Sequence, residues 1–368
     1  MEARTLTIQE RGKTGRGAVR PSDFQVRDGG AIDPQIVLRE PNLSLYCLDF
    51  EQRQALFVET PQETDLSLAP FLYQAQYAAA RRLLQVPFET LHRLAAEVVI
   101  DPQRLILIYS IGRCGSTLVS RAFREIEGVD SISEPDVFTQ MLFTWGASDL
   151  DGAEKAELWK SCTLLQCAPG KIRHATAWAL KFRSEVTNLW PLFYAIFPEA
   201  KVIFLYRSAR TWARSFLRMI GVDDPAAPLP VGFLRAFLGR TIPRFEGQET
   251  ISALELAAQV WLCIVEQCLE MQRKGIAIFV TRYEELNAAP RKVLAQMFAY
   301  CDLAANAVTN LDTVLEQDSQ EGSPLSRARM AEASVPWSQE HMDEIDRLIR
   351  ESSQGLTADT ILPGTYFP

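Results

Sequence analysis

The segment Tyr109–Leu118 reads Tyr-Ser-Ile-Gly-Arg-Cys-Gly-Ser-Thr-Leu, and its residue types suit the capture of an anion. It joins a continuous apolar run, Arg104–Tyr109, to a helical stretch that starts near Ser116. A buried strand, a tight Gly-containing turn and a helix start aim backbone N–H groups at one point, where the helix dipole adds partial positive charge. Arg113 adds a full charge, and Ser116 and Thr117 add hydroxyl donors. Downstream, Arg207 closes the run Lys201–Tyr206, and Ser215 follows eight residues later. A strand-end arginine and a serine two helical turns on can meet on one phosphate, the arginine through paired charge-assisted bonds. Each residue taken singly also suits an ordinary strand–turn–helix corner or a surface helix.

The surrounding pattern says what must position these groups. The apolar runs Arg104–Tyr109, Ala177–Phe182, Val202–Tyr206 and Ile276–Val280 alternate with helical stretches at about Ser116–Ile126, Val186–Phe197, Thr211–Ile220 and Arg291–Tyr300. Continuous apolar runs suit strands buried on both faces, and strand–helix alternation predicts a parallel sheet with crossover helices. Ala253–Lys274 reads as a long helix stopped by Gly275, and Pro225–Pro230 as a surface loop. The first hundred residues differ in texture. Residues 1–30 read as loosely structured, with short strands at Gln35–Arg39, Leu43–Asp49 and Ala55–Glu59. The polar turn Phe50–Arg53 makes the last two a hairpin, and residues 70–98 carry helical periodicity. The expectation is an α/β fold: a central parallel sheet with flanking helices over residues 101–368. An N-terminal α+β appendage of residues 1–100 would serve as a lid or an acceptor-recognition element, with the boundary at Asp101-Pro102.

Composition narrows the partners. With 38 Lys and Arg against 46 Asp and Glu, the 368-residue chain carries a net charge of −8, which argues against a nucleic acid or another polyanion as the main partner. The seven cysteines fit no zinc or redox spacing. Met1–Arg20 is polar, and the longest apolar stretch, Ala253–Met271, is broken by Glu255, Glu266 and Glu270. These features read as a reduced, cytoplasmic protein that binds no membrane.

Arg113–Thr117, Arg-Cys-Gly-Ser-Thr, resembles the 5′-phosphosulfate loop of the sulfotransferase superfamily, and Arg207 with Ser215 resembles its 3′-phosphate motif. The similarity is greatest to the tyrosylprotein sulfotransferase-like branch and covers roughly residues 104–345. In that branch a catalytic glutamate follows the loop arginine by 21 residues, and Glu134 stands 21 after Arg113. A lysine precedes the 3′-phosphate arginine by 26 residues, and Lys181 stands 26 before Arg207. The resemblance implies a P-loop-like sulfotransferase fold and 3′-phosphoadenosine 5′-phosphosulfate (PAPS) as sulfuryl donor, with no metal. It implies donor binding by Arg113, Cys114, Gly115, Ser116, Thr117, Arg207 and Ser215, with Tyr283 near the adenine, and catalysis by Glu134 and Lys181. Two places depart from the branch. Met219 stands where it has an arginine, with Arg218 beside it, and the C-terminal loop matches only loosely around Ser319 and Arg327.

Sulfuryl transfer to a hydroxyl needs a base, and cytosolic sulfotransferases often place a histidine just after the lysine. Here Phe182 and Arg183 follow Lys181. Glu134 is therefore the expected base, with Asp136 as a helix-start acid and Arg183 as a second cation or an ion-pair partner. His174 is the reserve base, and His92 and His341 read as surface residues. Two alternatives stay open at this level. A P-loop kinase or nucleotide hydrolase would need a lysine where Ser116 stands and a strand-end aspartate for magnesium. A non-catalytic sulfotransferase-like binding module would not need both Glu134 and Lys181.

Overall fold

The computed structural model describes residues 2–13, 17–144, 146, 148–168, 175–239, 242–304, 310–323, 325–332, 337–353 and 355–368. Five strands, β6 (Leu105–Ser110), β7 (Val129–Ser133), β8 (Ala177–Lys181), β9 (Lys201–Tyr206) and β12 (Ile278–Arg282), form the parallel sheet of the α/β fold, in the order β12-β9-β6-β8-β7. Every residue of β6, β7 and β8 is buried; β6 and β8 accordingly stand in the sequence as largely apolar runs rather than as alternation, whereas β7 (Val-Asp-Ser-Ile-Ser) buries Asp130, Ser131 and Ser133 and is no apolar run. β12 pairs with β9 and β7 with β8 in parallel register.

Residues 1–30 are not loosely structured where described. β1 (Arg4–Arg11) and β2 (Phe24–Ala31) form an antiparallel ribbon within a second sheet. Most side chains of β1 and β2 face solvent, so no apolar alternation marked them. The expected hairpin is present as β3 (Leu43–Asp49) and β4 (Gln54–Glu59). The periodic stretch 70–98 is two helices, Leu72–Ala79 and Phe88–Ala96, with the strand β5 (Arg82–Pro87) between them. β5 joins the second sheet by pairing with both β1 and β4, which gives the order β2-β1-β5-β4-β3. Gln35–Arg39 contains a helical turn, Ile36–Arg39, rather than a strand. The expected proline loop includes β10 (Pro228–Pro230), which pairs with β11 (Thr250–Ser252). A short stretch that exchanges ladder bonds with a distant partner carries little local signal of its own.

The chain resolves into two compact units. One comprises residues 1–106, 127–182 and 191–200, and the other 107–126, 183–190 and 201–368. The first has a buried aromatic centre in which Trp159 meets Phe193 at 4.7 Å and Phe138 meets Phe182 at 5.5 Å between ring centroids. The second is built on helix Ala253–Arg273, which Ser252 starts with a reciprocal capping box through Glu255 and Gly275 follows at φ +77°.

Candidate functional site

The second unit holds the loop after β6. Gly112, Arg113 and Gly115 all have positive φ, at 69°, 52° and 83°. Gly115 is required for space as well. A Cβ there would lie 2.9 Å from a Leu286 methyl and 3.4 Å from the Tyr283 ring. Being glycine, it also brings no side chain to cap helix Ser116–Arg124, so the N–H groups of that first turn stay available to a ligand. Three bonds hold the loop in place. Trp212 Nε1 donates to the Gly112 carbonyl at 2.9 Å, Ile111 N–H to the Leu205 carbonyl at 3.2 Å, and Cys114 Sγ to the same carbonyl at 3.5 Å. Cys114 therefore has its side chain committed to β9, and its backbone is what it can offer a ligand.

The predicted pair meets this loop. Arg113 Nε donates to Ser215 Oγ at 3.2 Å and Nη1 to Gln320 Oε1 at 2.7 Å. Arg207 donates to Thr211 Oγ1 at 2.9 Å and reaches the Arg113 carbonyl at 3.4 Å. Its guanidinium lies 4.6 Å from the centre of the Tyr283 ring, a cation–π contact at the start of helix Tyr283–Ala288. Trp261 fixes the strand end by donating to the Arg207 carbonyl at 2.9 Å.

The electrostatics of this corner are lopsided. Burial, and then repulsion from Arg207 and Arg218, hold the Arg113 guanidinium below the ordinary arginine range. Among the described residues no carboxylate is ion-paired with Arg113, Arg207 or Arg218. Among those residues Arg218 Nε is buried without a hydrogen-bond partner, as are Arg210 Nε and Arg282 Nε elsewhere in the unit. Arg218 and Gln320 were not among the residues expected from sequence. Arg218 lies three residues beyond Ser215, on the same face of helix Ala209–Ile220, and that spacing is the signal that could have found it. Nothing local marks Gln320, because it arrives from a distant turn that Arg121 pins through the Asp318 carbonyl at 3.0 Å.

The first unit holds the other predicted pair. Glu134 directly follows β7 with φ +58°, an uncommon conformation for a non-glycine residue, and its N–H donates to the Lys181 carbonyl at 2.7 Å. The Lys181 ammonium in turn donates to Glu134 Oε1. Both side chains are largely buried, at 4% and 11% exposure for Lys181 and Glu134. Helix Val137–Thr144 starts beyond Glu134. The Asp136 carboxylate accepts the Val19 N–H at 2.9 Å, which ties the N-terminal segment beside this turn.

Arg183 pairs with Glu185 at 3.3 Å. His174 lies outside the described residues. His92 is half-buried against Ser161 Oγ at 2.8 Å rather than on open surface, and burial lowers its pKa. His341 Nδ1 accepts the Ser338 N–H at 3.1 Å at the start of helix Gln339–Ser352. All seven cysteines are buried thiols, none joined in a disulfide. Among the described residues no acidic, histidine or cysteine cluster could hold a metal, and no helix is long and apolar enough to cross a membrane.

No family model matches the chain, and no curated protein matches it. Among solved structures, a sulfotransferase from Alicyclobacillus acidocaldarius aligns over 69% of this chain and 93% of its own, at 12% identity and a TM-score of 0.41. A sulfotransferase from Mycobacterium avium aligns over 72% and 79%, at 12% identity and a TM-score of 0.42. The sulfotransferase domain of the curacin biosynthetic pathway aligns over 68% and 99%, at 16% identity and a TM-score of 0.40.

Proposed function

We propose that this chain is a sulfotransferase that moves a sulfuryl group from PAPS to a hydroxyl or amine of a small-molecule acceptor. One observation carries the reading. Arg113, Arg207 and Arg218 crowd an open helix N-terminus, and among the described residues no carboxylate is paired to any of them. Like charges held together at such a place need anions, and a donor with phosphate groups at two positions supplies them. The Gly115 cradle and the orphaned Arg218 Nε fit such a molecule.

PAPS supplies the activated sulfuryl group. Arg113, Ser116, Thr117 and the backbone of Cys114 and Gly115 hold its phosphosulfate. Arg207 and Ser215, joined by Arg218, hold the 3′-phosphate, and Tyr283 supports the adenosine end. Glu134 takes the proton of the attacking acceptor group. Once protonated it no longer holds Lys181 by charge, and the ammonium is released to neutralise the bridging oxygen as the S–O bond breaks.

The test is calorimetry in EDTA. Adenosine 3′,5′-bisphosphate should bind, and ATP should bind much more weakly. Magnesium-dependent ATP binding with no bisphosphate binding would replace this reading by a kinase or nucleotide hydrolase. Bisphosphate binding with no turnover over a broad acceptor screen would leave a binding module.

A further inference from the structure

We infer that Glu284 is a positioning residue for Arg207, aiming its guanidinium at the donor's 3′-phosphate without itself occupying that guanidinium. This rests on the donor reading proposed above. The sheet sets the arrangement. Strands β9 and β12 run parallel with Tyr206 opposite Arg282, so the two strand ends deliver Arg207 and Ser208 beside Tyr283 and Glu284. Glu284 clasps these ends together. Its Oε1 accepts the Ser208 N–H at 3.2 Å, and its Oε2 lies 3.2 Å from Arg282 Nε. The clasp keeps the Tyr283 ring on the Arg207 guanidinium, 4.6 Å away.

The same Oε1 lies 3.5 Å from Thr211 Oγ1, the hydroxyl that accepts from Arg207 Nε at 2.9 Å. The hydroxyl proton of Thr211 has two acceptors on that side, this carboxylate and the Ser208 carbonyl at 3.3 Å. An oxygen lone pair is therefore left to meet Arg207. With Nε engaged by Thr211 and one face covered by Tyr283, what remains for a ligand is the Nη edge, where Nη1 meets the Arg113 carbonyl only at 3.4 Å. That edge makes the paired bonds to a phosphate. A carboxylate in direct contact would fill it and compete with the ligand. From one hydroxyl away, Glu284 orients the cation without taking the ligand's place.

The experiment is calorimetry on the full chain with adenosine 3′,5′-bisphosphate and adenosine 5′-phosphate. Glu284→Ala should weaken the bisphosphate by about tenfold and the 5′-phosphate by less than about twofold, since one oriented charge-assisted contact is lost. Glu284→Gln, which still offers an acceptor to the Ser208 N–H, should stay within about threefold of the wild type for the bisphosphate. In the Arg207→Ala background, Glu284→Ala should change nothing further. Tighter bisphosphate binding in Glu284→Ala would overturn the inference, because removing a mere negative neighbour of an anion site strengthens binding. Equal losses for the two ligands would overturn it too, as a general loosening of the corner. Thr211→Val keeps the side chain's size, removes the hydroxyl and should reproduce the selective loss, even if Glu284→Ala does not fold; unchanged selectivity in that variant would break the relay. A wild type that binds no bisphosphate would sink the donor reading instead. The positioning is then read in the free protein by NMR of the Arg207 Nε–H, identified by its absence in Arg207→Ala. Its exchange with water should quicken at least about tenfold in Glu284→Ala, and unchanged exchange would overturn the inference.

Discussion

Two arginine clusters of the second unit are built on opposite principles. Around Asp346 the charges are matched. Its Oδ2 accepts from Arg210 at 3.2 Å and Arg350 at 2.5 Å, while Oδ1 accepts the Ala358 N–H at 2.9 Å. Arg210 also reaches Asp359 at 3.1 Å. Around the loop after β6, Arg113, Arg207 and Arg218 have mainly one another, hydroxyls, an amide and a ring. The first arrangement pairs its charges, although Arg210 Nε, like Arg218 Nε, finds no hydrogen-bond partner among the described residues, and it secures the C-terminal tail against helix Ala209–Ile220. The second is electrostatically unfinished. Its cost is borne by the fold, because Trp212, Trp261 and Cys114 hold the backbone whatever the guanidiniums prefer. Satisfied charge marks architecture, and unsatisfied charge on a rigid frame marks a place for a ligand.

The largest expected effect asks to which kind the Lys181–Glu134 pair belongs. Glu134→Gln keeps size and most hydrogen bonds but accepts no proton. Turnover should fall by roughly 10²–10⁴-fold with bisphosphate affinity nearly unchanged. A lowered melting temperature with undiminished turnover per folded molecule would put the pair with Asp346, as architecture.

Next come paired substitutions, one in each cluster. Arg207→Ala should weaken adenosine 3′,5′-bisphosphate by about 2–3 kcal/mol, and adenosine 5′-phosphate by much less, without lowering the melting temperature of the free protein. Asp346→Ala should cost about 2 kcal/mol in unfolding free energy, since it strips the Ala358 N–H and two guanidiniums of their partner, and leave ligand affinity alone. Denaturant melts and calorimetry on both variants read the difference. Equal losses of stability from the two would erase the distinction.

Arg218→Met should be milder, lowering bisphosphate affinity by about tenfold, because one buried charge–phosphate contact is removed from several. An affinity unchanged by that substitution would take Arg218 out of the ligand's reach.

The smallest effect is on acid stability. Burial pushes the Asp346 carboxyl upward, but the Ala358 N–H, Arg210 and Arg350 outweigh it and hold its pKa below the ordinary carboxylate range. Its ionised form is therefore favoured in the folded protein. Its contribution is complete above the unfolded value and is lost as pH falls through the lower folded one. Melting temperatures taken from pH 6 down to pH 3 should fall less steeply in Asp346→Asn than in the wild type. Parallel curves would show that Asp346 carries none of the acid sensitivity.

The parallel sheet was legible in the sequence because most of its buried strands are largely apolar, as Leu105–Ser110 and Lys201–Tyr206 are, although β7 is as buried and carries Asp130, Ser131 and Ser133. The sequence also set the loop, its glycines and the Arg207–Ser215 spacing, since strand-to-helix geometry fixes which neighbours can converge. It did not disclose the antiparallel sheet of residues 1–100. β1 and β2 expose most of their side chains, and β5 is too short for its period to separate strand from helix. Nor could it bring Gln320 to Arg113, or Phe71 to Lys181, across separations of 207 and 110 residues. Local propensity and periodicity act over a few turns of chain. Only packing decides which distant side chain closes on a charge, and in this protein that decision shapes the surroundings of both Arg113 and Glu134.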